Sequence, residues 1–374
     1  MAVSGAKAWR RVEIVFGDRE LSNVLYAVSE EAPARVQDVD ALLSAFVDRR
    51  RAGDDVYWLK ENAELLRLLV VTDTAVDCDA LAHYETFHST CASRLQFFPQ
   101  YYRFILSIIR DLELLGYGQR LFERLADHVR QQNLMSGELS DLQRLEADWL
   151  LESRHDSALC ERIAAFCGNA AFFAVPNRKA AFELTHAVFY ASRYGAVEPT
   201  WLGDVSTSLY NAGMVALLDN DMDLLAEVAV ALQFSGSEPP FYWQQVLCSA
   251  HEKIQAEPTG RCVPGTDYYH EALTLGWAAT LSGRALFANG FAASDCVFAR
   301  QERARQPSPL RELSQALWQS GDGRCASWER FLAGGGQQLS DRTRASVHAL
   351  DASCAEFPGF FQAFSRSVSV LAHA

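Results

Sequence analysis

The sequence predicts an all-α protein, and three observations support this prediction. Apolar residues recur at three- to four-residue spacing through most of the chain, as they do along one face of an α-helix. The gaps between these segments are short and contain Gly, Pro, Asn or Asp, the residues that commonly end helices. Stretches that alternate apolar and polar residues, as strands do, are scarce.

The predicted architecture follows from the way such helices connect. Helices joined by short turns form hairpins, and hairpins assemble into an open helical array, a closed α/α toroid or a large bundle with repeat-like character. No repeat in this chain is regular enough to choose among these three. We expect one all-α domain over residues 1–374, in which residues 1–75 are a candidate N-terminal subregion.

Eleven predicted helices follow one another along the chain. They span residues 56–71, 104–115, 119–132, 139–152, 158–166, 180–194, 201–218, 222–234, 240–256, 268–287 and 310–332. Residues 12–16 (VEIVF) are the one stretch that resembles a strand. Residues 257–265 contain Pro and Gly and run directly into the next helix, so we interpret them as a loop at the entry of a site.

Composition narrows the classes of function. The net charge is −13 and the pI is about 5.2, which argues against a nucleic-acid-binding or anionic-membrane surface, since both need clustered Lys and Arg. The nine cysteines show no paired spacing, and no stretch is long and apolar enough to span a membrane. We therefore expect a cytoplasmic protein that takes a small-molecule substrate and has no nucleic-acid or membrane partner.

One short pattern occurs three times, at Glu85–His88, Glu183–His186 and Asp267–His270. In each, a carboxylate precedes a histidine by three residues, and on a helix these two side chains share one face. The surrounding residues are apolar and aromatic, so we expect the carboxylates to be buried. A buried carboxylate is costly unless a partner, a proton or a metal compensates it. A fourth copy, Glu152–His155, lies in polar surroundings and is interpreted as a solvated helix end.

Two interpretations of these pairs remain open. With 47 acidic residues and nine histidines in the chain, about one such spacing is expected by chance, so the three could be unrelated core pairs. We favour the other interpretation, in which the three helices converge on a buried multinuclear metal centre. His83, one turn before His88, is then a candidate seventh ligand beside the six residues of the motifs. Carboxylate and imidazole ligands suit iron, zinc or manganese.

The pairs resemble the Glu-x-x-His motifs of helical di-metal carboxylate proteins, which hold two irons between facing helices. The resemblance covers only these short motifs, and the third departs from the pattern because Asp267 stands in place of glutamate. It implies an iron cofactor and oxygen chemistry. Two tyrosines are candidate catalytic residues, Tyr269 beside the third histidine and Tyr190 on the same helical face as His186. A tyrosine beside a metal can orient a substrate or donate a proton, and the alternative is an aromatic core residue.

Three hypotheses about function follow. The first is a non-haem iron oxidase or oxygenase that acts on a small molecule. The second is a zinc- or manganese-dependent hydrolase, lyase or cyclase. The third is a helical-repeat interaction protein without catalytic activity, in which the three pairs are coincidental.

Overall fold

We describe a computed structural model, which covers residues 39–152, 156–258, 267–292, 295–300, 307–334 and 336–367. These residues all belong to one compact unit, Pro33–Ala374. The strand predicted at 12–16, His155 and most of the loop predicted at 257–265 lie outside the described residues. A single domain over the whole chain therefore stays a prediction.

The all-α prediction is confirmed: the described residues form seventeen α-helices and one two-stranded sheet. The helices are α1 (Val39–Ser44), α2 (Val56–Val71), α3 (Glu85–Phe97), α4 (Tyr102–Leu114), α5 (Phe122–Gln131), α6 (Asp141–Leu150), α7 (Ser157–Cys167), α8 (Ala170–Phe173), α9 (Arg178–Ala191), α10 (Ser206–Asp219), α11 (Met222–Phe234), α12 (Phe241–His251), α13 (Tyr269–Leu281), α14 (Pro309–Gln319), α15 (Trp328–Gly334), α16 (Asp341–Ser353) and α17 (Phe357–Ser365). None of the helices in the described ranges is long and apolar enough to cross a membrane.

The strands β1 (Ile254–Pro258) and β2 (Asp295–Arg300) pair antiparallel. They were not predicted, and the helix predicted at 240–256 ends earlier, at His251. The segment predicted as one helix at 310–332 is two helices, α14 and α15, separated by a short 3₁₀ turn at Gly321–Gly323. The two glycines of that turn are residues that commonly end helices, so the sequence did contain the signal for this break.

Six helices form a closed inner ring. In order around it, α2 packs against α4, α4 against α6, α6 against α9, α9 against α11, α11 against α13, and α13 again against α2. Other helices form an outer layer: α3 and α5 pack against α4, α7 against α6 and α9, α10 against α9 and α11, and α12 against α11 and α13. This two-layered ring is a closed α/α toroid, one of the three predicted architectures.

Helix α11 shows how the sequence places a helix in the inner ring. A helix that is apolar all round must be buried on all sides, and ten of the thirteen residues of α11 are buried. Asp221 begins the helix, because its side chain accepts a hydrogen bond from the backbone amide of Leu224. Two of the buried residues, Asp223 and Glu227, are acidic, and their four-residue spacing puts both on one face.

Candidate metal centre in the inner ring

The inner ring surrounds a cavity of about 300 Å³. All six helices of the ring contribute to its wall, and both charged and aromatic side chains face it. The ionisable groups in the wall include Glu64 on α2, His186 on α9, Glu227 on α11 and His270 on α13. A concave site with a few convergent polar groups in an otherwise apolar wall is typical of small-molecule binding.

His270, in the first turn of α13, lies between acidic residues. Its Nδ1 is 2.8 and 3.0 Å from the two carboxylate oxygens of Asp223, so Nδ1 donates a hydrogen bond to that group. Its Nε2 lies 3.7 Å from Oε1 of Glu227 and 3.8 Å from Oε1 of Glu64. Ligand atoms of Asp223, Glu227 and His270 all lie within 4.8 Å of one another. A carboxylate that holds one imidazole nitrogen leaves the other oriented to bind a metal.

Glu227 presents one oxygen to two imidazoles. Oε2 accepts a hydrogen bond of 2.5 Å from the hydroxyl of Thr185, which fixes the carboxylate. Oε1 lies 3.8 Å from Nε2 of His186, in addition to its 3.7 Å approach to Nε2 of His270. Thr185 directly precedes His186 on α9, so one helix both orients the carboxylate and supplies an imidazole beside it.

The protonation states are set by burial and by neighbouring charges. Glu227 is only 2% exposed, and burial raises its pKa to about 8. Burial and the nearby charge of His270 lower the pKa of His186 to about 4, so its imidazole is neutral at neutral pH. Burial alone would lower the pKa of His270, but the charge of Glu64 and the hydrogen bond with Asp223 outweigh it and raise the pKa to about 9. The charge of His270 nearby opposes the effect of burial on Glu227 but does not outweigh it.

Of the seven metal ligands predicted from the sequence, the structure brings His186 and His270 to the cavity. Glu183 is on the same helix as His186, but it lies outside the cavity wall, 3.6 Å from the amine of exposed Lys179. Asp267 lies before α13 and binds Arg50 at 2.6 Å instead.

The other three predicted ligands lie elsewhere. Glu85 accepts a hydrogen bond of 2.7 Å from the hydroxyl of Tyr117, and the ring of His88 packs edge-on against the same tyrosine. His83 contacts Asp40 and Asp48, at 3.3 and 2.9 Å. The structure therefore does not bring the three pairs together, because α3 belongs to the outer layer and α13 to the inner ring.

Both predicted catalytic tyrosines lie near the site. Tyr190 faces the cavity, and its ring stacks on that of His186 with the ring centres 6.0 Å apart. The hydroxyl of Tyr269 donates to Glu64 at 3.2 Å and accepts from Lys60 at 3.0 Å. Their catalytic role stays a prediction.

Sequence reasoning missed three residues of the site: Glu64, Asp223 and Glu227. A search for an acid three residues before a histidine cannot find them, since their histidine partners are on other helices. The signal that would have found Asp223 and Glu227 is two acids at i and i+4 in a helix whose other residues are nearly all apolar. Such acids are either paired or functional, because a lone buried charge is too costly.

Comparison with known proteins gives the family of this chain but no activity. No curated protein sequence and no solved structure matches it. A family described as "Domain of unknown function (DUF6902)" matches residues 21–367, which is nearly the whole chain. The chain therefore belongs to the DUF6902 family.

Proposed function

We propose that this protein is a metal-dependent enzyme for a small molecule, and that one Fe(II) ion binds in the inner-ring cavity to His186, Glu227 and His270. The observation that carries the proposal is the position of Glu227, whose Oε1 lies 3.8 and 3.7 Å from Nε2 of the two histidines. Two histidines and one carboxylate are the ligand set of non-haem Fe(II) oxygenases, in which further coordination positions stay open.

The surroundings of these donors fit a metal site. Asp223 holds Nδ1 of His270 and Thr185 holds Oε2 of Glu227, so each donor atom is oriented by a second group. A metal-binding imidazole must be neutral: His186 already is at neutral pH, and His270, whose pKa is raised to about 9, would release a proton when the metal binds. The burial that favours the protonated form of Glu227 would be offset by a bound cation.

The cavity can supply the rest of a catalytic site. When bound, iron would supply oxygen and redox chemistry, and the protein would position the substrate and exclude water. Tyr190, Leu273 and Trp277 give the cavity an apolar and aromatic wall. Glu64, 3.8 Å from Nε2 of His270, is a carboxylate within reach of the same centre. The same donors suit zinc or manganese, which would favour a hydrolase, lyase or cyclase.

A second candidate is an acid–base enzyme that needs no metal. The observation that favours it is the hydrogen-bonded pair of Asp223 and His270, since a carboxylate that orients an imidazole is a common arrangement in acid–base catalysis. Glu227 and His270, whose pKa values are raised to about 8 and about 9, would hold their protons at neutral pH and act as acids, and neutral His186 would act as the base. Both candidates use the same cavity and differ only in whether a metal is bound.

The deciding experiment is elemental analysis of untagged full-length protein, purified without chelator and also after anaerobic reconstitution with Fe(II). We expect one equivalent of metal per chain in the wild type. His186→Gln and Glu227→Gln should lose it, because each removes a proposed ligand. Iron would support the oxygenase, and zinc or manganese in both preparations would support the hydrolytic class.

Matched controls come from ligands that were predicted from the sequence but lie away from the cavity. Glu183→Gln, on the same helix as His186, and His83→Gln should retain the full equivalent of metal. Absence of stoichiometric iron, zinc or manganese from the reconstituted wild type would overturn the metal proposal and leave the acid–base candidate.

A further inference from the structure

The cavity has a second layer beyond the metal donors, formed by Arg67, Tyr190, Tyr194 and Trp277. Two of them follow a group of the proposed metal site on the same helix. Arg67 comes three residues after Glu64 on α2, and Trp277 comes seven residues after His270 on α13. The members of this aromatic layer contact one another. Tyr194 stacks on Trp277 with the ring centres 6.1 Å apart, and the guanidinium carbon of Arg67 lies 5.0 Å from the ring centre of Tyr194.

Arg67 is an unusual residue in this wall. It is 8% exposed, and its guanidinium contacts two rings that also contact each other: its central carbon lies 4.5 Å from the ring centre of Trp149 and 5.0 Å from that of Tyr194. Tyr194 adopts a left-handed backbone conformation with φ of 57°, which is unfavourable for a residue with a side chain. The fold therefore maintains a strained position beside the guanidinium.

Only part of the hydrogen-bonding capacity of Arg67 is used among the described residues. Its Nη2 forms an ion pair with Oδ1 of Asp111 at 2.5 Å, whereas Nε has no hydrogen-bond partner among the described residues. A guanidinium has five N–H donors, and burying donors without partners is costly. Arg110 adds a second positive charge, since its guanidinium carbon lies 4.9 Å from the same Trp149 ring.

The other Lys and Arg side chains in the cavity wall are compensated. Lys60 binds Glu64 at 2.5 Å, and Arg103 binds Glu138 at 2.9 Å and also Glu146. Arg67 has one acidic partner, Asp111, and burial raises the pKa of that carboxyl to about 7, so that it is only partly charged at neutral pH. Among the Lys and Arg side chains of the cavity wall, Arg67 is thus the least compensated partner for an anion from outside the protein.

We infer that the substrate is a small carboxylic acid, whose carboxylate binds Arg67 and whose apolar or aromatic body packs against Tyr190, Tyr194 and Trp277. The planar guanidinium matches a carboxylate with two parallel hydrogen bonds, and the flanking rings hold it in place. The other end of the acid would then lie near Glu227 and His270, a placement that rests on the proposed function. Binding of the carboxylate to Arg67 does not depend on a metal.

The test is calorimetric titration of metal-free full-length protein with benzoate, 3-phenylpropionate and hexanoate, each beside its uncharged amide. We expect at least one acid to bind about tenfold more tightly than its amide, as hydrogen bonds to a charged group typically allow. Arg67→Met should abolish this preference, and Arg67→Lys should retain part of it, because lysine keeps the charge but not the planar fork. Arg94→Met is the matched control, since Arg94 also contacts an aromatic ring but lies on α3 outside the cavity wall.

Two results would overturn the inference: equal binding of acid and amide by the wild type across all three pairs, or a preference that persists in Arg67→Met. The wild-type comparison needs no variant, so it stands even if Arg67→Met does not fold. His270→Gln separates this inference from the metal proposal. The acid should still bind to that variant, whereas the metal should not.

Discussion

Helices α3 and α13 each carry a histidine near their start that follows a carboxylate by three residues, Glu85 before His88 and Asp267 before His270. Only His270, on α13, faces the central cavity. On α3, Glu85 binds Tyr117 and the ring of His88 packs against that tyrosine, in the outer layer. On α13, His270 meets Asp223 and faces Glu227, in the inner ring. The spacing of two residues thus reports that they share a helical face, and the packing of the helix decides what that face meets.

The same comparison shows where the acidic ligands come from. In each motif that reaches the cavity, the motif's own acid lies apart from the site, and the acid beside the histidine comes from α2 or α11. Glu183 and Asp267 bind Lys179 and Arg50, respectively. The proposed centre is therefore assembled between helices rather than along one helix, and this difference can be tested.

The largest expected effect is the difference in metal binding when the motif histidine of α13 or that of α3 is replaced. We expect His270→Gln to weaken metal binding more than 100-fold and His88→Gln to leave it unchanged. A ligand at 100 times its Kd stabilises the folded protein by about 2.7 kcal/mol. Thermal unfolding with and without Fe(II), Mn(II) or Zn(II) should therefore show a metal-dependent rise in Tm for wild type and His88→Gln only.

Unfolding without metal provides the control for this measurement. His88 is partly exposed, but its Nε2 is buried and has no hydrogen-bond partner among the residues described, so His88→Gln can alter the baseline Tm. The relevant quantity is the difference that metal makes within each variant. An equal metal-dependent shift in His270→Gln would contradict the assignment of that residue as a ligand.

The second prediction compares the acids beside His270. Asp223→Asn keeps the shape of the side chain but removes the charge that holds Nδ1, and we expect a 10- to 100-fold loss of metal affinity, typical of groups that orient a ligand. Asp267→Asn, at the acid of the sequence motif, should leave metal affinity unchanged. Competition with a chromophoric chelator measures both. Equal losses for the two variants would indicate a general structural effect instead of orientation of His270.

The extent to which the sequence predicted this molecule differs between helices and site. The bounds of α2 and α11 agree with prediction to the residue, because long apolar stretches there follow a capping aspartate, Asp55 or Asp221. Closure of the ring was one of three predicted alternatives, since the contact of α13 with α2 joins segments far apart in the chain. Local periodicity carries no information about such contacts.

The site was predicted less completely, for the same physical reason. His186 and His270 were selected because each follows an acid in an apolar helix, but Glu227 and Asp223 belong to a different helix from either histidine. Which acid meets which histidine is decided by the packing of α11 against α9 and α13. The sequence does show that α11 holds two acids among apolar residues, and that observation is independent of any histidine.

The third prediction contrasts a buried with an exposed aspartate. Burial raises the pKa of Asp111 to about 7, so the folded protein binds more protons there than the unfolded chain, and this group makes stability fall as the pH rises from 5 to 7. The hydrogen bond from Arg162 lowers the pKa of Asp141, whose contribution is present at neutral pH and is lost as the solution becomes strongly acidic.

Urea unfolding of the wild type, Asp111→Asn and Asp141→Asn at pH 5 and pH 7 measures the contrast. As the pH rises from 5 to 7, we expect the free energy of unfolding of Asp111→Asn to increase by about 1–2 kcal/mol relative to wild type. The reason is that asparagine does not titrate, so the variant escapes the loss of stability that wild type undergoes as Asp111 ionises. The relative stability of Asp141→Asn should stay constant over that range. If the difference in free energy of unfolding between Asp111→Asn and wild type were the same at pH 5 and pH 7, Arg67 would keep Asp111 ionised over the whole range.

The smallest expected effect concerns Glu183, which precedes His186 by one helical turn. Its contact with Lys179 is an exposed i, i+4 pair, and such pairs contribute about 0.3–0.5 kcal/mol. Glu183→Gln should therefore lower the free energy of unfolding by no more than this, and the loss should shrink in 1 M salt, which screens the pair. Equilibrium unfolding in urea at low and high salt measures both quantities. A loss of several kcal/mol, or a loss of metal, would show that the acid of this motif acts together with its histidine after all.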